Sequence, residues 1–263
     1  NFAKTGTSHI LSISGLHIGM VAAGSFFLIL VLLKSSEYLM LKFNIIKMAT
    51  AAAFLPIVIY ALVAGMGTTV LRATLMAIAF LISLLIGKQK DLYNILFGAA
   101  LIILIIAPES LFEISFQLSF SAVFAILYIV PRLSDLTLPI PAAPPWLQKL
   151  IRRIYIFILV SAAATLGTLP IIVFYFNRVS AVTLIANLIA VPLLGMLTLI
   201  PAMAFILTSL FSTWFAGFLI SVTSFFTGIA VTMINWMASW SCSSFSLVKP
   251  NLAEITFFYI FSF

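Results

Sequence analysis

Charged side chains in this chain of 263 residues fall almost entirely between long apolar blocks, and that arrangement leaves few folds open. A helical bilayer span needs roughly 20 mostly apolar residues. Blocks of that kind lie at about 10–34, 48–66, 68–87, 91–107, 111–131, 154–176, 180–210 and 213–240, and a ninth, 251–263, is too short to cross. Hydrophobic residues make up 64% of the chain and charged ones only 7%, whereas soluble domains carry about 25% charged residues. The solvent for most of this sequence is therefore lipid. Barrel strands would alternate apolar and polar over about 10 residues, and no such alternation is present. The expected fold class is all-α, a polytopic transmembrane helical bundle with interrupted helices, forming a single domain over 1–263. The chain begins at Asn1 without a signal-peptide pattern and stops inside an apolar run, so we expect it to be a piece excised from a longer protein. One cysteine, Cys242, cannot form an intrachain disulfide.

Charge supplies an orientation. If the eight blocks alternate, one face of the membrane carries Lys34, Lys42, Lys47, Lys88, Lys90, Arg132, Lys149, Arg152 and Arg153, and the other carries only Lys4, Arg72, Arg178 and Lys249. By the positive-inside rule the richer face is cytoplasmic, which leaves the N-terminus of this segment outside. The longest connection, 131–153, contains Pro131, Pro139, Pro141, Pro144 and Pro145 and ends in Lys149, Arg152 and Arg153. It is expected to be irregular or partly amphipathic. Two roles suit it: an anchor to acidic headgroups, at about 1 kcal/mol per basic residue, or a docking site for a cytoplasmic partner.

Several polar groups are out of place in lipid. His9 and His17, with Ser8, Ser12 and Ser14 around them, head the first block. Intramembrane histidines face a bundle interior or a water-filled cavity, and eight residues of helix bring the two within about 80° of each other. Gly15 stands between them as a possible break. The pair is either hydrogen-bonded inside the bundle or part of a polar path. Arg72 lies about four residues into its block, where it either snorkels to the outer headgroups or stands as a fixed cation at the mouth of a pore. The fifth block brings Glu113, a candidate partner for Arg72, with Ser115, Gln117, Ser119 and Ser121. Gln117 and Ser121 share a helical face. Pro170, in Gly167-Thr-Leu-Pro170, is expected to kink or interrupt its helix. Arg178 follows at the outer boundary, and Asn187 and Pro192 are expected to interrupt the next block, exposing half-helix N-termini that attract anions. The candidate lining of a polar path is thus Ser8, His9, Ser14, His17, Arg72, Gln117, Arg178 and Asn187.

No hydrolytic or energy-converting site is legible. Gly87-Lys88-Gln89 lacks the upstream glycine and the hydroxyl of a phosphate loop. Two histidines and one cysteine without paired spacing make a zinc site improbable, and Ser14 and His17 are too close in sequence to act persuasively as nucleophile and base. We expect neither an enzyme nor a bound cofactor or metal.

The stretch Thr5-Gly-Thr-Ser-His-Ile-Leu-Ser-Ile-Ser-Gly-Leu-His-Ile-Gly19 resembles the signature that opens the membrane competence domain of ComEC-type DNA-uptake proteins. Three later stretches resemble that domain in the same order: Thr68-Thr-Val-Leu-Arg72-Ala-Thr-Leu-Met76, Phe116-Gln-Leu-Ser-Phe120 and Ala186-Asn-Leu-Ile-Ala-Val-Pro192. One departure is Phe112-Glu-Ile-Ser-Phe116, where the family pattern has a Pro-Gly turn; the sequence signal for a helix break is lost there. The resemblance implies a channel in the bacterial cytoplasmic membrane that carries one strand of incoming DNA inward during natural transformation. It also implies an extracytoplasmic DNA-binding domain and a metallo-β-lactamase-like nuclease domain elsewhere in the full-length protein. It supplies no catalytic residues for this domain.

Physics constrains that function. An ion moved into a low-dielectric interior costs several kcal/mol even after relaxation, so a path for single-stranded DNA must be wet and electropositive or lined by backbone donors. Drawing each negative charge inward against an inside-negative potential is opposed by about 2.3 kcal/mol per 100 mV. The chain has no motor of its own, so a cytoplasmic ATPase or helicase, or a single-strand-binding protein acting as a ratchet, is the expected partner. The competing class is a secondary transporter of a small anionic or lipid-linked substrate, with His9, His17 and Arg72 around a midplane site. A third is a structural scaffold in which those groups are buried in satisfied pairs.

Overall fold

A computed structural model describes residues 2, 4–7, 15–88, 91–135, 144–240 and 244–263. Ser8, His9, Ser12, Ser14, Lys90, Pro139, Pro141 and Cys242, all named above, lie outside the described residues. Helices dominate, as the apolar blocks require, because lipid leaves every backbone N–H and C=O to be satisfied within the protein. The chain divides into two compact units, Ser12–Phe116 and Asn1–Leu11 with Gln117–Phe263.

In the first unit, α1 (Gly15–Lys34), the short α2 (Glu37–Lys42), α3 (Ile45–Val63), α4 (Thr68–Leu85) and α5 (Leu92–Ile106) follow one another, and a 3₁₀ turn (Pro108–Phe112) leads into α6 (Ile114–Leu133). On α3, Ala49, Ala53, Ile57 and Ala61 recur every four residues and are buried. Small residues at that spacing let helix backbones approach closely where lipid supplies no hydrophobic drive, and Ile18 of α1 with Val70 and Leu81 of α4 completes this core.

The second unit takes in the rest of α6, then α7 (Pro145–Phe176), β1 (Arg178–Ser180), α8 (Thr183–Ala190), a π-helical segment (Val191–Thr198), α9 (Leu199–Thr208), α10 (Thr213–Ala238), β2 (Ser244–Ser246) and α11 (Leu252–Ser262). Asn177 ends α7 in the left-handed conformation at φ 53°. The two short strands pair antiparallel, with Arg178 opposite Ser246. Ala186, Ala190, Ile234 and Met237 form the core between α8 and α10. A Cβ at Gly167 would collide with the Cβ of Ala125 and lie 2.8 Å from the Ser121 carbonyl oxygen, so α6 and α7 touch through the absence of a side chain.

Among the described residues, seven helices are long and apolar enough to cross a membrane. The block at 91–107 departs from expectation: α5 has 15 residues, about 22 Å of helix against a hydrocarbon core of about 30 Å. Pro108 is the cause, because it disfavours helical dihedrals at the residue before it, and Ala107 leaves the helix at φ −142°, ψ 83°. Two expected interruptions are also corrected. α7 runs unbroken through Pro170, and the hydroxyls of Thr165 and Thr168 before it bond back along the helix to the Ser161 and Ala164 carbonyls, both at 2.8 Å. Around Pro192 the backbone widens to π winding and stays helical, so no half-helix N-terminus is exposed there. Conversely, the break before α6 is present although the Pro-Gly signal is missing: Glu113 is extended, at φ −71° and ψ 128°.

These contacts set a paired expectation. Gly167→Ala should lower the thermal unfolding midpoint in detergent, because overpacking a tight crossing costs about 1–3 kcal/mol. Gly98→Ala, on α5 with open space where its Cβ would go, should be neutral or stabilising by up to about 1 kcal/mol. Equal midpoints for the two variants would contradict the close crossing.

Candidate functional site

Arg72 sits one turn inside the N-terminus of α4, and its side chain is only 5% exposed. The guanidinium therefore does not snorkel to the headgroups. Its Nη1 donates to Ser115 Oγ at 2.9 Å and to Glu113 Oε2 at 3.3 Å, and the Ser115 hydroxyl also donates to that carboxylate at 3.3 Å. The extended backbone at Glu113, between the 3₁₀ turn and α6, is what aims carboxylate and hydroxyl at α4. The ion pair expected from the sequence is thus formed, with a third polar member.

The pair is unequal. Glu113 is 34% exposed while Arg72 is sealed, and Arg72 Nε is buried without an acceptor among the described residues. A carboxylate with access to water keeps part of its hydration, whereas the guanidinium depends on its protein partners. Beside them lies a cavity of about 110 Å³ whose lining includes Thr68, Leu71, Arg72, Glu109, Ser110 and Glu113. That is room for a few water molecules, each taking about 30 Å³ in the liquid, and not for a nucleotide. Glu109 and Ser110 escaped the sequence reading; the available signal was a proline and an acid breaking an apolar run at Pro108-Glu109.

The other candidates are spread out. His17 lies in the first turn of α1, half-buried, next to the core residue Ile18. Gln117 is half-buried on α6 and falls in the second unit. Arg178 is exposed on β1, just past the end of α7. Asn187 lies inside α8, with its Oδ1 buried and lacking a hydrogen-bond partner among the described residues. Ser8, His9 and Ser14 lie outside the described residues.

The opening segment has a structural role that the sequence did not reveal. Thr5 and Thr7 are fully buried and share a hydroxyl contact of 2.9 Å. Between them Gly6 adopts φ +72°, and a Cβ there would collide with Thr183 Oγ1 in the first turn of α8. Phe2 packs on the core formed by Ala186 and Ala190. The head of the first signature stretch is therefore seated on the helix that carries the last one.

Seven span-length apolar helices, with a buried cation held by polar partners in a helix pack, define a polytopic helical membrane protein. The chain belongs to the family described as competence protein, which it matches over residues 1–263. It is 29% identical over 260 residues to ComE operon protein 3 of Bacillus subtilis (strain 168), covering 98% of this chain and 28% of that protein. It is 27% identical over 203 residues to the uncharacterized protein YcaI of Escherichia coli (strain K12), covering 74% of this chain and 24% of that protein. The chain thus spans about a quarter of the length of these relatives. No solved structure matches it significantly.

The unequal burial sets the order of two substitutions. Glu113→Gln strands a buried guanidinium and should cost about 2 kcal/mol. Arg72→Met leaves a carboxylate already in contact with water and should cost less. Thermal unfolding in detergent ranks them, and a lower midpoint for Arg72→Met would reverse the assignment of which partner needs the other.

Proposed function

We propose that this domain forms the path by which a single strand of DNA crosses the bacterial cytoplasmic membrane during natural transformation. The match to the competence family along the whole chain carries this reading, and the chemistry around Arg72 supports it. A phosphodiester strand needs cations or backbone donors where it leaves bulk water, and a guanidinium held inside a helix pack is such a group. Arg72 then marks a constriction that is shut: a cavity of about 110 Å³ admits water, and the surrounding helices must part before a nucleotide passes. With α5 and the 3₁₀ turn after it together making one crossing, the N-terminus lies outside and the cation-rich connections lie in the cytoplasm. Inward movement against the membrane potential is driven by a cytoplasmic ATPase or helicase, or by capture on a single-strand-binding protein. The DNA-binding and nuclease steps belong to other parts of the full-length protein, and this domain catalyses no covalent step.

The small size of the same cavity favours a second reading, a secondary transporter of a small anion whose site never opens to both sides at once. Entry of labelled single-stranded DNA into cells separates the two. In the DNA-path reading, Arg72→Ala lowers entry and transformation about tenfold, equivalent to about 1.4 kcal/mol of lost stabilisation, at unchanged protein abundance. His17→Ala and Asn187→Ala have smaller effects in the same direction. Normal DNA entry in Arg72→Ala at normal abundance would remove this residue from the path, and loss of small-anion uptake with DNA entry intact would favour the transporter.

A further inference from the structure

The first ten residues of α7 form a surface that neither the ion pair nor the DNA path uses. Pro144 and Pro145 open the helix, and it then runs for 32 residues, about 48 Å. A bilayer is about 30 Å thick in hydrocarbon and 40–45 Å with its headgroup layers. At the average tilt of about 20° the helix covers about 45 Å along the membrane normal, so with its other end at the opposite edge of the hydrocarbon core residues 145–154 lie beyond the near edge, at the level of the headgroups.

That segment is divided lengthwise. At about 100° per residue, Gln148, Lys149, Arg152 and Arg153 occupy one arc of about 140°, and Trp146, Leu147, Leu150, Ile151 and Ile154 occupy the opposite one. The apolar arc is left uncovered by protein: Trp146 is 66% exposed, Leu150 46% and Ile154 47%. Lys149, Arg152 and Arg153 are exposed, and none pairs with a carboxylate among the described residues. Tyr155 Oη donates to the Leu133 carbonyl at 2.9 Å, joining the end of α6 to this level of α7. Arg132 beside it stacks 3.5 Å from the Tyr128 ring centroid and adds a fourth cation.

We propose that residues 145–154, with Arg132, bind anionic phospholipid headgroups, the basic arc on the phosphates and the apolar arc in the acyl boundary. Two faces of this kind on one helix match the two sides of a membrane interface. A nucleic acid or a soluble acidic protein would satisfy the cations and leave five apolar side chains in water. Four cations at one level without carboxylate partners fit anionic rather than zwitterionic lipid, at about fivefold in preference per basic residue.

Quenching of Trp146 by brominated lipid tests this in the full chain reconstituted in nanodiscs, the Trp146 signal being taken as the difference from Trp146→Phe. Brominated phosphatidylglycerol should quench Trp146 at a mole fraction at least about tenfold lower than brominated phosphatidylcholine. Lys149→Gln/Arg152→Gln/Arg153→Gln should abolish that preference while quenching by phosphatidylcholine persists, which also shows that the helix still meets lipid. Arg153→Gln alone should lose about fivefold. Equal quenching by the two lipids, or a preference that survives the triple substitution, overturns the proposal. So does a triple variant that loses affinity for a single-stranded oligonucleotide while keeping its lipid preference.

Discussion

Lipid offers no hydrogen bonds, so each polar group inside a span must find its partner within the protein. Most of the hydroxyls in the helices do so locally, by bonding back to a carbonyl one turn earlier: Thr50 to Ile46, Thr208 to Ala204, Thr223 to Leu219 and Thr227 to Thr223. The prolines pose the harder problem, because each removes a donor and crowds the preceding turn. Beside Pro170, one residue along from the Leu166 carbonyl that lacks its N–H partner, another helix supplies a donor. Tyr259 of α11 donates to the Gly167 carbonyl at 2.8 Å, and its ring belongs to a cluster with Phe124, Tyr128 and Phe263. The Gly167 carbonyl is thus covered from the side, and α7 remains one helix where the sequence pointed to a kink or an interruption.

What could be read in advance follows from the same constraint. Span-length apolar blocks are legible because the bilayer imposes one thickness on all of them, and all eight expected blocks end within three residues of the end of an observed helix. The pairing of Arg72 with Glu113 was legible because each was conspicuous in an apolar context. What was not legible depends on tertiary partners. Tyr259 looks like any tyrosine in an aromatic-rich tail until it meets Gly167. Gly6 carries no signal in the sequence, and only Thr183 shows why a side chain is barred there. The shortness of α5 depends on Pro108 acting on Ala107, a local effect that counting apolar residues does not register.

The four stretches that carry the family resemblance also make structural sense together. Within one unit, Thr5-Gly6-Thr7 packs on the first turn of α8, which bears Ala186, Asn187 and Ala190. Within the other, Arg72 of the second stretch is held by Glu113 and Ser115 at the edge of the third, next to the buried Phe116. Stretches far apart in sequence therefore meet in pairs, and each meeting point combines small or hydroxyl-bearing residues with a polar group that lipid would not tolerate. Arg72 falls in such a stretch, and the cost of burying it explains why its partners accompany it there.

Satisfaction is incomplete at a few places, and those places are informative. Among the described residues, Arg72 Nε, Thr74 Oγ1, Ser161 Oγ, Ser180 Oγ, Asn187 Oδ1 and Thr198 Oγ1 are buried without a partner, whereas native proteins pair nearly all such atoms. Asn187 and Thr198 flank or end the π-wound segment, and π winding inside helices is frequent at functional sites. An orphaned donor on a sealed guanidinium is also most costly where the dielectric is lowest. Replacing a buried ion pair such as Arg72 with Glu113 by apolar residues of the same volume is often neutral or stabilising, so the pair by itself is weak evidence for a role in stability.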